Sequence, residues 1–196
     1  TALTLKGSTF TLDAGAGGTL PSSTALSLGS IAFGKGTFIF DNTTATGAKS
    51  QTLASLDAPR EQQVDNIVQV TRTAAQPVSL IFTTLGTPIL LGSVINFVTS
   101  DVAGGGVNGT DYEIVIADQT TFRIMRQNTY FNGGSFAVYD TSAGTGLNGF
   151  VRALAYGTDA GTATSSGGTS FAAGQAQEIT GSITAQPTVS LVSGTF

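Results

Sequence analysis

The chain has no cysteine, no histidine and no tryptophan, a single methionine, and charged side chains at only 10% of its 196 positions. Without cysteine there are no disulfides and no thiolate metal sites, so stability must come from packing and backbone pairing. Without histidine the usual general base and the commonest metal ligand are missing, and cysteine's absence removes the best nucleophile. Most hydrolase constellations therefore cannot be assembled, and the expectation is a protein that is not an enzyme and carries no cofactor. The charged fraction is well below the roughly 25% of ordinary globular domains. The eight Lys and Arg residues are scattered and the net charge is −4, which leaves no footprint for nucleic acid. No apolar run approaches the ~18 residues of a membrane-spanning helix, so membrane insertion is not expected either.

What is present is β-forming sequence. Residues 64–100 are the densest apolar stretch, rich in Val, Ile, Thr and Phe and cut into strand lengths by Pro77, Gly86, Pro88 and Gly92. Val78, Leu80 and Phe82 alternate with Ser79 and Thr83, the pattern of a sheet covered on one face. Ile81 and Leu85 break that alternation and suggest a strand covered on both faces, as in the centre of a sandwich or under a partner subunit. The N-terminal segment alternates through Leu3, Leu5, Phe10 and Leu12 and ends in a Gly-rich hinge at residues 14–18. Residues 25–33 and 37–40 read as a hairpin around Gly34-Lys35-Gly36. Residues 41–60 read as a long loop with a helical turn at 52–56, and Arg60 to Gln63 as a solvated patch.

Beyond the Gly-rich loop at 101–111, strands are expected over 112–117, 121–126, 135–139 and 150–156, separated by turns at Asn132-Gly133 and Asn148-Gly149. A low-complexity tract that reads as a long loop follows at 157–174, with Phe171 as its anchor, before strand character returns at 178–191. The echo between Ala75-Gln76-Pro77-Val78-Ser79-Leu80 and Ala185-Gln186-Pro187-Thr188-Val189-Ser190-Leu191 is too short to establish a duplication. Strand spacing of this kind points to an all-β fold, an antiparallel two-sheet β-sandwich of Ig-like or jelly-roll type. Residues 1–18 would be a strand and hinge, and 19–196 the sandwich body.

Few residues invite chemistry. Thr1 has the form of an N-terminal nucleophile, with Asp13 and Lys35 as conceivable helpers, but no amphipathic helix accompanies it. With no Met or targeting stretch before it, Thr1 fits either a cleaved secretory signal or a removed initiator Met. Asp101, Asn108, Asp111 and Glu113 set oxygen ligands around a Gly-rich loop, as a hard cation such as Ca²⁺ would require, although Asp and Asn are also ordinary turn residues. No metal is assigned. Asn42 and Asn108 stand in glycosylation acceptor triplets. Thr71-Arg72-Thr73 and Thr162-Ala163-Thr164 are the only TxT pairs relevant to ice binding, and no period links them.

The alternating, Gly-hinged N-terminal strand and the Thr-, Gly- and Ala-rich strands around a bulky apolar centre resemble β-sandwich subunits of bacterial or archaeal surface filaments built by donor-strand complementation. The resemblance implies that Leu3, Leu5, Phe10 and Leu12 form an assembly strand inserted into a neighbouring copy; the alternative is that this strand pairs at home as an edge strand, since a Gly-rich hinge is also ordinary before a hairpin. The expectation is a self-assembling structural subunit of an extracellular filament or surface layer, with copies of itself as partners. A virion decoration or tail component, or a secreted adhesin or carbohydrate-binding module, are the alternatives.

Overall fold

The computed structural model describes residues 1–30, 32–58, 64–86, 93–126, 128–142, 149–160, 162–166 and 176–180. The chain divides into two compact units, Thr1–Ala153 and Leu154–Phe196. In the first unit the strands are β1 (Ala2–Leu5), β2 (Ser8–Asp13), β3 (Ala25–Leu28), β4 (Gly36–Asp41), β5 (Lys49–Asp57), β6 (Asp65–Arg72), β7 (Val78–Leu85), β8 (Val94–Asp101), β9 (Tyr112–Ile116), β10 (Arg123–Ile124), β11 (Thr129–Phe131), β12 (Ser135–Asp140) and β13 (Phe150–Ala153). The second unit contributes β14 (Thr162–Ser166) and β15 (Ala176–Thr180), which pair in parallel from Thr162↔Ala176 to Ser166↔Thr180.

Strands from β1 to β9 alternate between two sheets. The odd-numbered ones form a five-stranded sheet in the order β1-β3-β5-β7-β9, and the even-numbered ones stack as β2-β4-β6-β8, with β11 next to β8. Every pairing in these two stacks is parallel. Each circuit of the chain thus lays one strand on each sheet, turns a corner and returns one strand spacing further along. This is a two-sheet parallel β-solenoid. Beyond β11 the direction reverses: β12 pairs antiparallel with β11, β10 and β13 and closes that end of the even-numbered stack.

The core lies between the sheets and is built of ladders of like side chains. Phe10, Phe38, Val68, Phe97 and Phe131 are successive register partners. The rings of Phe10 and Phe38 stack with centroids 6.0 Å apart. On the facing sheet, Leu3 pairs with Leu26, and Leu56 with Leu85. In the tight corner between β1 and β2, Gly7 takes φ +63°, and a β-carbon there would lie 1.9 Å from the Phe33 carbonyl oxygen. Only glycine fits that conformation and that approach.

The antiparallel sandwich expected from the sequence is overturned by this pairing. Period-two alternation reports which face a side chain occupies and is silent on strand direction, so corner loops of a solenoid read like hairpin turns. The expected hairpin of residues 25–40 is such a corner: β3 and β4 belong to different sheets. Residues 49–57, expected as loop with a helical turn, form the longest strand of the first unit, β5. Leu85 breaks the alternation for a local reason. Thr83 and Thr84 both face outward, and the same step occurs in register in β5, where Leu53 and Leu56 are both buried. The turn at Asn148, the patch at 60–63, the Pro88 and Gly92 breaks, Phe171 and the echo at 185–191 lie outside the described residues.

Candidate functional site

The oxygen ligands expected around the loop at 101–111 do not converge. Asp101 binds its own loop: Oδ1 meets Arg72 Nη1 at 2.8 Å and accepts Gly104 N–H, and Oδ2 accepts Gly106 N–H. The Asp111 carboxylate accepts Val107 N–H at 2.9 Å, closing the same loop from its other end. Asn108 donates through Nδ2 to the Val151 carbonyl, and Glu113 accepts the Ser79 hydroxyl at 2.7 Å. These four residues serve a loop and a sheet. Among the described residues, no group of three or more His, Cys, Asp or Glu is placed to hold a metal ion.

The glycosylation triplets have similar neighbourhoods. Asn42 is completely buried, with Nδ2 donating to Ala74 and Gln76 carbonyls (3.1 and 2.8 Å) and Oδ1 accepting Thr73 and Ala74 N–H (2.8 and 3.0 Å). All the bonding positions of its amide are spent on the next circuit of chain. Asn66 does related work at the other corner, accepting Gly36 N–H from the circuit before. Thr71 of the first TxT pair is buried and accepts a bond from Gln69 Nε2. The Thr1 carbonyl accepts Ala25 N–H, and Asp13 Oδ1 holds the Gly15 and Ala16 amides. Lys35 lies beside the opposite end of β2, because Ser8 pairs with Gly36.

Two carboxylates tie the ionisation of the protein to its fold. The Arg72 hydrogen bond, aided by Gly106 and Gly104 amides, outweighs desolvation and holds Asp101 below its ordinary 3.8. For Asp140, burial would raise the pKa, but bonds from Ser142 and from Arg152 at 2.5 Å prevail and lower it. Burial pushes the Tyr139 phenol up to about 12, and its hydroxyl donates to the Gly149 carbonyl. A carboxylate with a depressed folded-state pKa contributes stability that is complete above its unfolded value and lost as pH falls through the folded one. With no histidine in the chain, stability is expected to be flat between about pH 5 and 8 and to fall below 3.8. Urea midpoints across pH, compared with D101N and D140N, check this: each variant should flatten the acid limb.

The four residues expected to form an assembly strand lie in the first circuit, paired within their own chain. Leu3 and Leu5 pair with Leu26 and Leu28, and Phe10 and Leu12 with Phe38 and Phe40. Among the described residues, nothing pairs with the outer sides of β1 and β2. The parity of that edge follows from its neighbours. Thr1 and Leu5 carbonyls accept from Ala25 and Gly29, and Ala14 N–H donates to Asp41. By strand alternation, Ala2, Thr4, Thr9 and Thr11 turn their N–H and C=O groups outward. Neither strand has a proline, and neither has a charge before Asp13 at its end, so two of the devices that usually discourage pairing, proline and mid-strand charge, are absent from the edge. Beside it, Gly7, Ser8, Thr9, Phe33, Lys35 and Thr37 line a hollow of about 290 Å³. Phe33 is 68% exposed there.

Comparison with protein-family models, with curated proteins and with solved structures finds no match.

Proposed function

We propose that this chain is a structural subunit of an extracellular filament or surface layer, and that its subunit contacts use β-strand pairing. The observation that carries this is the edge of β1 and β2, a double row of backbone groups that no strand among the described residues pairs with, at the end of a solenoid. Such an edge is a template for another chain. Composition supports the same reading: few charges and many small, hydroxylated residues suit packing between copies more than catalysis in solution. Donation of residues 1–13 to a neighbour is not part of the proposal, because leaving would break the register made with β3 and β4 and uncover Leu26 and Phe38.

Electron microscopy of the purified chain, concentrated stepwise, tests the proposal. Filaments or two-dimensional lattices are expected. Isolated particles at every concentration would sink it.

A further inference from the structure

We propose that the partner of the bare edge is a second copy of this chain, joined antiparallel, β2 to β2 and β1 to β1, in a closed two-fold dimer. The inference deepens the assembly reading and rests on it.

Three observations lead there. The first is that the edge is unfinished. Leu3 and Phe10 point into the core yet are only partly buried, whereas their register partners Leu26 and Phe38 are completely buried. A further layer on this end would cover them. The second is that the far end of the parallel stacks does not offer a matching double edge: β9 ends the five-stranded sheet with no further strand among the described residues, but β11 is already paired on its outer side with antiparallel β12. A head-to-tail stack that continues the parallel register on both sheets at once is therefore blocked at β11, and the surface that matches β1 and β2 together is the same edge on another molecule. Rotation about an axis perpendicular to the sheets sets each strand on its own counterpart, running in the opposite direction, with equal lengths matched.

The third observation is charge. Lys6 and Lys35 lie at the Ser8 end of β2, and Asp13 and Asp41 at its other end. An antiparallel pairing brings the basic end of one copy beside the partner's Asp13, next to the hollow that contains Lys35. A parallel pairing would superpose like on like. The contact is isologous and closes on itself, so a filament or layer would be built from dimers through a second surface.

The test is molar mass by light scattering and sedimentation across concentration, on the 196-residue chain. A dimer that weakens with salt is expected for the wild type. Thr11→Pro removes an outward N–H that no strand among the described residues uses, so it should fold with unchanged circular dichroism and dissociate at least tenfold more readily. Lys6→Glu should weaken the dimer and reverse its salt dependence. A dimer indifferent to both variants overturns the proposal, and so does a wild-type monomer at all concentrations. Slow hydrogen exchange at the Thr9 and Thr11 amides in a monomeric species would show the edge covered from within its own polypeptide, and that too overturns it. Microscopy separates the two claims: ordered assemblies that persist in Thr11→Pro leave the assembly reading standing and remove this edge from it.

Discussion

Replacing Asn42 with alanine is expected to destabilise the protein by about 3 kcal/mol, because it removes four hydrogen bonds to half-buried backbone groups, each contributing about 0.5–1.5 kcal/mol. The Asn42 amide closes the turn after β6 from one circuit away, binding Thr73, Ala74 and Gln76. Water cannot take its place at a side chain with no exposed surface. Asn42→Asp separates shape from chemistry. It keeps the volume and the acceptor but loses both donations and sets a charge in the interior, so it should be at least as damaging as alanine. Asn96→Ala is the control, since Asn96 Oδ1 accepts Gly133 N–H where water can substitute, and it should cost less than about 1 kcal/mol. Urea denaturation of the three variants reads the difference. If Asn42→Ala costs no more than Asn96→Ala, Asn42 does not staple the circuits together.

Asn42 also illustrates why much of the fold was hard to see in the sequence. Within an Asn-Thr-Thr triplet it reads as a turn residue or a glycan acceptor, and its partners lie 31 to 34 positions away. Local patterns were readable because they depend on local physics: Leu3/Leu5, Phe10/Leu12 and Val78/Leu80/Phe82 occupy inward positions of real strands. Strand direction was not readable from alternation, which is identical in parallel and antiparallel sheets. The decisive signal was present in another form. Ala2-Leu3-Thr4-Leu5 recurs as Ala25-Leu26-Ser27-Leu28, and Thr9-Phe10-Thr11-Leu12-Asp13 as Thr37-Phe38-Ile39-Phe40-Asp41, and these are the pairs that the structure puts in register. Recurrence of a strand pair in the same order identifies stacked circuits. Later circuits blur it: corner loops vary in length, and only burial is kept, as where Val68 succeeds Phe38.

The acidic loop was misleading for a related reason. Asp101 and Asp111 lie close in sequence with glycines between them, which matches a cation loop in composition. Arg72, one circuit earlier, supplies the positive charge instead, 2.8 Å from Asp101. A sequence window around the loop does not contain that arginine. That the N-terminal strand pairs at home at an edge agrees with one of the two sequence expectations for it, but that it ends both sheets together was not legible, because that depends on strands far along the chain.

The stacked architecture makes one further large prediction, about where in the ladder a phenylalanine matters. Phe38→Ala is expected to cost about 3–5 kcal/mol, the range for a fully buried ring, since Phe38 has neighbours on both sides, Phe10 and Val68. Phe10→Ala should cost roughly half as much in the monomer, because a terminal circuit has a neighbour on one side only and its ring is partly exposed. The comparison belongs in a Thr11→Pro background, where association cannot cover Phe10 and inflate its effect. Chemical denaturation of both variants supplies the numbers. Equal losses at the two positions would contradict an end-exposed ladder and would mean that the first circuit is as fully enclosed as the second.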